Sequence, residues 1–452
     1  MKKGFFYKNA FLCIAIFFIS SDVLASEFIA EDINFSKKQS TWIALPYIFD
    51  SESMGLTGGV VGIFSGYFQP QMTIVVSAYA GEELEVEKLE GGEHVDNDKA
   101  RTSGGFIGVS GYKLPFSKRI FLSAYGSYAY YPNQRLYLDG SNDSKRNLEP
   151  ESPLELTPLQ TQGYNNWTYF DFRYVLPWGE SRDKILPVIK MRRGVPVNRD
   201  SYGGGAPFVT GQTIVGTELF YTKWTADKLT EEPSLNTNGI RLYLEHDNTD
   251  YPDNPSRGYN IHARFSADFG LWNSTQSWNA LDISYSHYFE FDNFSWTRQN
   301  VIALNAWTAY SPSWDKSKKL NPDNPDAVID RHRPPMWEGA RLGGWNRMRA
   351  YDANRFSDKA ALYFAAEYRV IPSLNPMRDQ EWSPIPIDWF QAVFFAEAGR
   401  VAPNYKLNTL FSDMKYDVGF SIRALAARVP VRFEMATGDE GATMWVMVKQ
   451  PF

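Results

Sequence analysis

The chain has little of what many enzymes and secreted soluble domains depend on. It has one cysteine in 452 residues, and after residue 25 no run approaches the roughly 20 apolar residues of a membrane-spanning helix. Its net charge of −6 disfavours a nucleic-acid-binding protein, because such proteins present a basic face. None of its five histidines has a metal-binding spacing such as H-E-x-x-H, and no G-x-S-x-G motif is present. We therefore expect no enzymatic activity, no cofactor, no metal ion and no nucleic-acid partner. The alternative that the sequence does not exclude is an enzyme site formed by a serine, a histidine and a polar partner from separate positions on one rim of the fold.

The first 25 residues have the organisation of a secretory signal peptide. Three lysines precede an apolar run over residues 10–19, and residues 23–25 (VLA) fit cleavage after Ala25. The run is about half the length that a membrane anchor requires. Cleavage would remove Cys13, so the exported chain would have no disulfide to stabilise it.

What the chain has in abundance is aromatic residues, at 16%, and segments in which polar and apolar residues alternate. Alternating strands of about ten residues with aromatic girdles are typical of a transmembrane β-barrel, which is polar inside and apolar outside. We predict an all-β fold, a transmembrane antiparallel β-barrel over residues 41–452, preceded by a short periplasmic segment over residues 26–40. The alternative is a large periplasmic all-β domain such as a sandwich or a propeller.

Seventeen segments have the pattern of strands. They are residues 41–49, 55–65, 71–80, 104–113, 119–131, 164–176, 184–193, 212–222, 239–248, 259–270, 277–291, 296–310, 360–371, 387–399, 414–425, 430–436 and 443–452. A bacterial barrel with both ends in the periplasm needs an even number of strands. Residues 184–193 are the weakest candidate, because they contain Pro187, Lys190, Arg192 and Arg193. We therefore predict sixteen strands, with the charged residues 81–103 and the polar residues 133–163 as loops.

The longest irregular segment ends in EGARLGGWNRMRAY, residues 338–351. Its Gly343-Gly344 followed by Arg349-Ala350-Tyr351 resembles the signature loop of the BamA/TamA family of outer-membrane barrels, the bacterial surface antigen family. The DYPDNPSRG turn at residues 250–258 resembles a short periplasmic turn of that family. The resemblance implies that the long loop folds back into the barrel lumen. In this sequence an alanine stands where the family's triplet has glycine.

The same resemblance implies a partner for the loop arginine. In the family this arginine reaches a carboxylate in a Phe-x-Asp-x-Gly motif, and the matching residues here are Phe395, Glu397 and Gly399. These three share one face of a strand because side chains alternate. Further charged side chains fall on lumen faces by the same alternation: Glu367, Arg369, Arg423, Arg432 and Glu434. They form either a latch that holds the loop or ordinary ion pairs lining a pore.

The resemblance implies a function in inserting or translocating proteins at the outer membrane of a Gram-negative cell. The expected partners are outer-membrane lipid and lipopolysaccharide, the barrel assembly machinery during biogenesis, and client proteins of unknown identity. In the final strand, residues 443–452, alternation predicts outward-facing side chains at Met444, Val446, Val448, Gln450 and Phe452. The closing Phe452 resembles the C-terminal assembly signal of outer-membrane barrels. The segment before residue 41 is too short for the family's periplasmic repeats, so a passive pore or structural barrel is the alternative.

Two further expectations concern the loops. Strand parity with a periplasmic N-terminus places residues 82–98 and 312–338 on the outer face. Three aspartates of the long loop, Asp323, Asp326 and Asp330, are interpreted as part of an acidic solvated loop, with a cation site as the alternative.

Overall fold

The computed structural model describes residues 29–32, 41–51, 53–90, 93–137, 140–142, 159–186, 188–197, 205–206, 209–227, 234–318, 328–377, 387–426 and 429–452. Its strands are β1 (Ile29–Asp32), β2 (Thr41–Ser51), β3 (Gly55–Ser65), β4 (Thr73–Glu90), β5 (Glu93–Lys113), β6 (Ile120–Leu136), β7 (Leu159–Val175), β8 (Val188–Arg192), β9 (Val195–Pro196), β10 (Gln212–Thr225), β11 (Ser234–Asp247), β12 (Gly258–Asp268), β13 (Trp278–Glu290), β14 (Thr297–Tyr310), β15 (Asp315–Lys318), β16 (Val328–Arg331), β17 (Arg341–Leu342), β18 (Phe356–Ser357), β19 (Ala360–Pro372), β20 (Ile387–Ala402), β21 (Lys415–Ala426), β22 (Val429–Gly438) and β23 (Gly441–Val448). A short 3-10 helix covers Gly179–Arg182, and the helix α1 covers Leu407–Leu410. Neither of these helices is long and apolar enough to cross a membrane.

Sixteen of these strands form one large antiparallel sheet, which confirms the predicted all-β barrel and its strand number. Their order in the sheet is β2-β3-β4-β5-β6-β7-β10-β11-β12-β13-β14-β19-β20-β21-β22-β23. The rejected candidate at residues 184–193 lies outside this sheet, as predicted. It contributes β8 to a small sheet of order β1-β8-β9, in which β1 runs parallel to β8.

The large sheet has an apolar outer face. Val60 and Val76 point outward and are exposed, while their neighbours Val61 and Val75 point inward and are buried. A wide apolar surface of this kind is unfavourable in water, whereas it is expected where lipid covers the outer face. Connections alternate between the two ends of the barrel because neighbouring strands are antiparallel. We call the end with connections 66–72 and 114–119 the short-turn end, and the end with residues 311–359 the long-loop end.

The prediction that residues 81–103 form a loop is wrong. The β4–β5 ladder continues past the barrel wall to the pair Glu90↔Glu93, so β4 has 18 residues and β5 has 21. Only about 9–11 residues are needed to cross a membrane. A charged hairpin can continue beyond the lipid because its backbone groups satisfy one another, and Arg101 pairs with Glu83 across it at 2.8 Å. Residues 133–163 are likewise shorter as a loop than predicted, because β6 runs to Leu136 and β7 begins at Leu159.

Inward-facing aromatic rings lie flat against glycines of the neighbouring strand. Tyr47 is directly opposite Gly59, and a Cβ on that glycine would lie 2.4 Å from the tyrosine ring. Tyr79 and Gly104 form the same kind of pair, with a distance of 2.6 Å. The ring covers a backbone that has no side chain of its own, which stabilises the curved wall.

The two edge strands of the large sheet are β2 and β23. Among the described residues no ladder joins them, although every other neighbouring pair in the sheet order is hydrogen-bonded. β23 has eight residues and β2 has eleven, so the last strand is the shorter edge.

Candidate functional site

The long loop between β14 and β19 turns inward through its paired glycines. Gly343 has φ +103° and Gly344 has φ +112°, which are conformations that favour glycine. A Cβ on Gly343 would lie 2.3 Å from the carbonyl oxygen of Asp352. Gly344 N–H donates to the carbonyl of Tyr351 at 3.0 Å, so the ends of the motif are tied together. This turn places Arg349 at its inner tip.

Arg349 is completely buried and contacts three carboxylates from three strands. Its backbone N–H and its Nε donate to the two oxygens of Glu397 at 2.6 and 3.0 Å. Its Nη1 donates to Glu367 at 2.8 Å and to Glu434 at 2.9 Å. Its guanidinium also lies 3.5 Å from the centre of the Phe395 ring. The structure thus brings the loop motif and its predicted partner motif into direct contact.

Three more arginines complete a buried network around these carboxylates. Arg423 donates to Glu367 at 2.8 Å and to Glu434 at 3.0 Å. Arg369 donates to Glu367 at 2.7 Å, and Arg432 donates to Glu434 at 2.5 Å. All of these side chains are at most 1% exposed.

The network contains as many carboxyl groups as guanidinium groups. A fourth carboxylate, Asp417, accepts the backbone N–H of Ala350 at 3.2 Å and is directly opposite Glu397 in the sheet. With Arg349, Arg369, Arg423 and Arg432, this gives four guanidinium groups beside four carboxyl groups. Removing a single member of such a set leaves an unpaired buried charge, which is costly.

Side chains of the loop pack closely against the wall at two glycines. A Cβ on Gly399 would lie 2.9 Å from Met348 Sδ and 2.9 Å from Leu342 Cδ1. A Cβ on Gly438 would lie 3.2 Å from Ala350 Cβ. Ala350 stands where the family's triplet has glycine, and Gly438 on the facing strand β22 provides the space for its methyl group.

Two loop residues that follow Arg349 contact the rim at the long-loop end. Tyr351 is 1% exposed and its hydroxyl donates to Asp439 at 2.6 Å. Arg355 makes a two-point contact with Glu440, with distances of 2.8 and 2.7 Å. Asp439 and Glu440 form the connection between β22 and β23. The loop is therefore fastened to the last hairpin as well as to the lumen wall.

The first half of the loop has a separate anchor, which the sequence reasoning missed. Arg241 on β11 donates to Glu338 of the loop at 2.5 Å and also pairs with Glu218 on β10. Its guanidinium lies 4.2 Å from the centre of the Phe220 ring. Arg241 lies in the strand candidate at residues 239–248, and Glu338 is the first residue of the loop stretch 338–351, but no local sequence pattern connects the two.

Burial and ion pairing act in opposite directions on the loop arginine. Burial alone would lower the pKa of the Arg349 guanidinium, but Glu397, Glu434 and Glu367 raise this pKa well above its usual value. Burial also raises the pKa of the Tyr351 hydroxyl, and its hydrogen bond to Asp439 raises that pKa further. Arg349 therefore stays charged and Tyr351 stays protonated, so both act as permanent donors.

The last residues do not continue the outward alternation that was predicted for residues 443–452. β23 ends at Val448, and Lys449 has φ +62°, which turns the chain inward. Gln450 then hydrogen-bonds Arg423, and the Phe452 ring lies 5.1 Å from the Arg369 guanidinium. The expectation that Gln450 and Phe452 face outward is wrong, because both have polar or cationic partners in the lumen. The role of Phe452 as an assembly signal stays a prediction.

Some predicted features fall outside the described residues. These are the signal peptide and the aspartates Asp323 and Asp326. Of the segment at residues 26–40, only β1 is described. Within the described ranges, no group of three or more histidine, cysteine, aspartate and glutamate side chains is arranged to hold a metal ion.

These features define a class of protein: an antiparallel barrel whose longest loop is folded inside and held by buried ion pairs. Residues 159–441, more than half of the chain, match the Omp85 superfamily domain. The chain therefore belongs to the Omp85 superfamily, which confirms the family predicted from the loop and its partner motif.

No curated protein sequence matches the chain. Two solved structures are similar to it at 10% sequence identity, and each similarity covers 91% of this chain. The crystal structure of BamA from Haemophilus ducreyi lacking POTRA domains 1-3 has a TM-score of 0.40, with 69% of that chain covered. CdiB from Acinetobacter baumannii has a TM-score of 0.47, with 60% of that chain covered.

Proposed function

We propose that this protein is a barrel of the Gram-negative outer membrane that inserts or translocates other proteins. Its partners in this proposal are outer-membrane lipid, lipopolysaccharide, the barrel assembly machinery and client proteins with strands to pair. No enzymatic reaction is part of the proposal. Membership of the Omp85 superfamily supports it, and one structural observation carries it.

That observation is the pair of edge strands, β2 and β23, that no ladder joins in the described residues. An open strand edge presents backbone N–H and C=O groups that lipid cannot satisfy. An incoming client strand would satisfy these groups by pairing with an edge. The short β23 offers the smaller barrier, because fewer backbone groups need a new partner there.

The latched loop supports the same proposal. A loop held by buried ion pairs to β19, β20 and β22 keeps the wall next to the open edge in one shape. Client strands could then meet a fixed template rather than a collapsing sheet. The second candidate function, a passive pore or structural barrel, would use the same latch only to fill the lumen.

An insertion assay separates the two candidates. The refolded protein is placed in liposomes, and an unfolded client barrel is followed until it becomes heat-modifiable on gels. We expect faster client folding than in empty liposomes. We also expect loss of this effect when cysteines introduced by Ile48→Cys and Met444→Cys, both outward-facing on the edge strands, are cross-linked. A rate equal to that of empty liposomes would contradict the proposal and favour the passive barrel.

The membrane orientation has its own test. Trp272 is 91% exposed at the long-loop end, and Phe116 is 80% exposed at the short-turn end. A cysteine introduced by Trp272→Cys should react with an impermeant thiol reagent in intact cells, and one introduced by Phe116→Cys only after outer-membrane permeabilisation. The reverse pattern would show an inverted topology. If neither cysteine reacted and the protein were found in the periplasmic fraction, the outer-membrane location would be contradicted.

A further inference from the structure

A second segment of the chain crosses the barrel at the short-turn end. It consists of residues 188–197, which comprise β8, a tight turn and β9, and we call it the crossing segment. The connection that contains it leaves the sheet at β7, the sixth strand, and returns at β10, the seventh. Its tip contacts β20 and β21, the thirteenth and fourteenth strands. In a sheet of sixteen strands these positions are almost half-way round the barrel, so the segment spans the mouth.

The far end of the crossing segment is seated on a buried tryptophan. Trp389 Nε1 donates to the carbonyl of Gly194 at 2.9 Å, and Trp389 is 1% exposed. Val195 packs in one cluster with Trp389, Ile371 and Leu425. A tryptophan near the start of a lumen-facing strand is excluded from water here because the crossing segment covers it.

The fit at this seat is too tight for a side chain at residue 194. Gly194 has φ +69°, and a Cβ there would lie 2.5 Å from Leu425 Cδ2 and 2.8 Å from both Trp389 Cδ1 and Asp388 Cβ. Contacts below 3.0 Å require one partner to move. The seat therefore depends on the absence of a side chain at this one position.

The middle and the near end of the connection are also fixed. Ile189 and Met191 pack on Tyr251, in the turn between β11 and β12. Near β7, Arg119 donates to the carbonyls of Ser181 and Arg182 at 3.0 and 3.1 Å. The connection thus has contacts on both sides of the mouth and in its centre.

Buried amides lie at the same level as the crossing segment. Asn254, from the turn between β11 and β12, is fully buried and donates to Gln299 on β14 at 3.1 Å. It accepts from Gln391 on β20 at 3.0 Å and from Gln450 after β23 at 3.1 Å. These amides hydrogen-bond one another, although they come from four separate parts of the chain: β14, β20, this turn and the residues after β23. Such burial is expected below a closed mouth.

We propose that the crossing segment is a plug that closes the short-turn mouth of the barrel, and that the seat of Gly194 on Trp389 holds it in place. The long loop narrows the lumen at the other end, and the plug is what closes it. Ions or an extended polypeptide can pass only when the crossing segment leaves its seat. This proposal does not rest on protein insertion, because a passive barrel could have the same plug.

Two variants and a matched control test the plug in planar lipid bilayers. Gly194→Ala places a methyl group into the seat, and Trp389→Phe removes the N–H donor while it keeps an aromatic ring. The control is Gly441→Ala, which also has a positive φ of +126° but has nothing within 4 Å of its Cβ. Heat-modifiable migration on gels confirms that each variant is folded. We expect a several-fold higher single-channel conductance, or a several-fold greater open fraction, for Gly194→Ala than for the control, with a smaller rise for Trp389→Phe.

A thiol probe reports the position of the crossing segment independently of conductance. Met191 is 5% exposed and packs against Tyr251. Cys13 is replaced by serine in all variants, so that the introduced cysteine is the one that reacts. The cysteine introduced by Met191→Cys should be protected in the otherwise natural chain and should react when Gly194→Ala is added. Reaction without a rise in conductance would overturn the proposal, because the segment would have moved without opening the barrel. Rapid reaction in the absence of Gly194→Ala would overturn it too, as would protection that Gly194→Ala does not change.

Discussion

The two ends of the barrel are filled by segments that are held in different ways. At the long-loop end, Arg349 is held by three buried carboxylates and by charged neighbours. At the short-turn end, Val195 and Gly194 are held by apolar packing and one neutral hydrogen bond to Trp389. Loss of one charge from a buried network leaves its partners uncompensated, whereas loss of apolar contacts costs in proportion to the area removed. We therefore expect loss of one charge to release residues 341–357 in a single step, and loss of apolar contacts to loosen the plug by degrees.

Arg349→Ala should have the largest effect on this comparison. It leaves Glu397, Glu367 and Glu434 with one cation fewer, and removal of one partner from a buried pair costs about 3–5 kcal/mol. Hydrogen exchange of residues 341–357 should accelerate strongly, while exchange of residues 188–197 should stay unchanged. Arg347→Ala is the matched control, because Arg347 is in the same loop but stacks on Trp307. Equal acceleration in both variants would show that the buried network does not hold the loop.

Glu338→Gln should loosen the other half of the loop, to a smaller extent. It keeps the shape of the side chain but removes the charge that pairs with Arg241, which retains Glu218. A hydrogen bond to a charged group contributes about 1.5–3 kcal/mol. Exchange should rise around residues 335–342 and remain slow at residues 347–351. Simultaneous release of both halves would mean that the loop has one anchor rather than two.

Val195→Ala tests the short-turn end in the graded way that apolar packing predicts. It removes two methyl groups from the cluster with Ile371 and Leu425, at about 0.8 kcal/mol each. Reactivity of the cysteine introduced by Met191→Cys should increase modestly, by less than Gly194→Ala produces. The loop at the other end should be unaffected. An effect as large as that of Gly194→Ala would contradict the graded response.

Acid should affect the rim contact least. Burial works to raise the pKa of Asp439, but hydrogen bonds from Lys415 and Tyr351 lower it below the usual value of an aspartate. The ionised Asp439 therefore stabilises the rim contact fully above the unfolded pKa of about 3.9. This stabilisation is lost as the pH falls through the lower folded pKa. Because Asp439 is half exposed, we expect its contacts to contribute less than about 1 kcal/mol to the stability of the loop. Exchange of residues 351–356 should rise slightly below about pH 4 in the natural chain and less in Asp439→Asn. A loss beginning near pH 6 would contradict this assignment.

The charged end of the barrel could be predicted from the sequence, and the apolar end could not. Glu367, Arg369, Arg423, Arg432 and Glu434 stand out because charges on the inward face of an otherwise apolar strand need partners. The crossing segment has no such mark. Residues 184–193 were correctly excluded from the wall, but nothing local shows that Gly194 would meet a tryptophan 195 residues away.

Strand ends were the other feature that alternation could not predict. The charges of residues 81–103 indicate only that they lie outside lipid, and a hairpin satisfies that as well as a loop does. The inward turn at Lys449 depends on the partners of Gln450 and Phe452, which come from distant strands. Such long-range contacts decide where a strand stops once its membrane-spanning part is complete.

We expect Arg349 and Glu397 to act as one unit in holding the loop, and a double-mutant cycle measures this most directly. Hydrogen exchange of residues 341–357 gives the free energy of loop opening for the natural chain, Arg349→Ala, Glu397→Ala and the double variant. We predict a large loss for each single variant and little further loss for the double variant, so that the interaction energy of the cycle is close in size to one single loss. Fully additive losses would contradict the account, because the two side chains would then contribute independently.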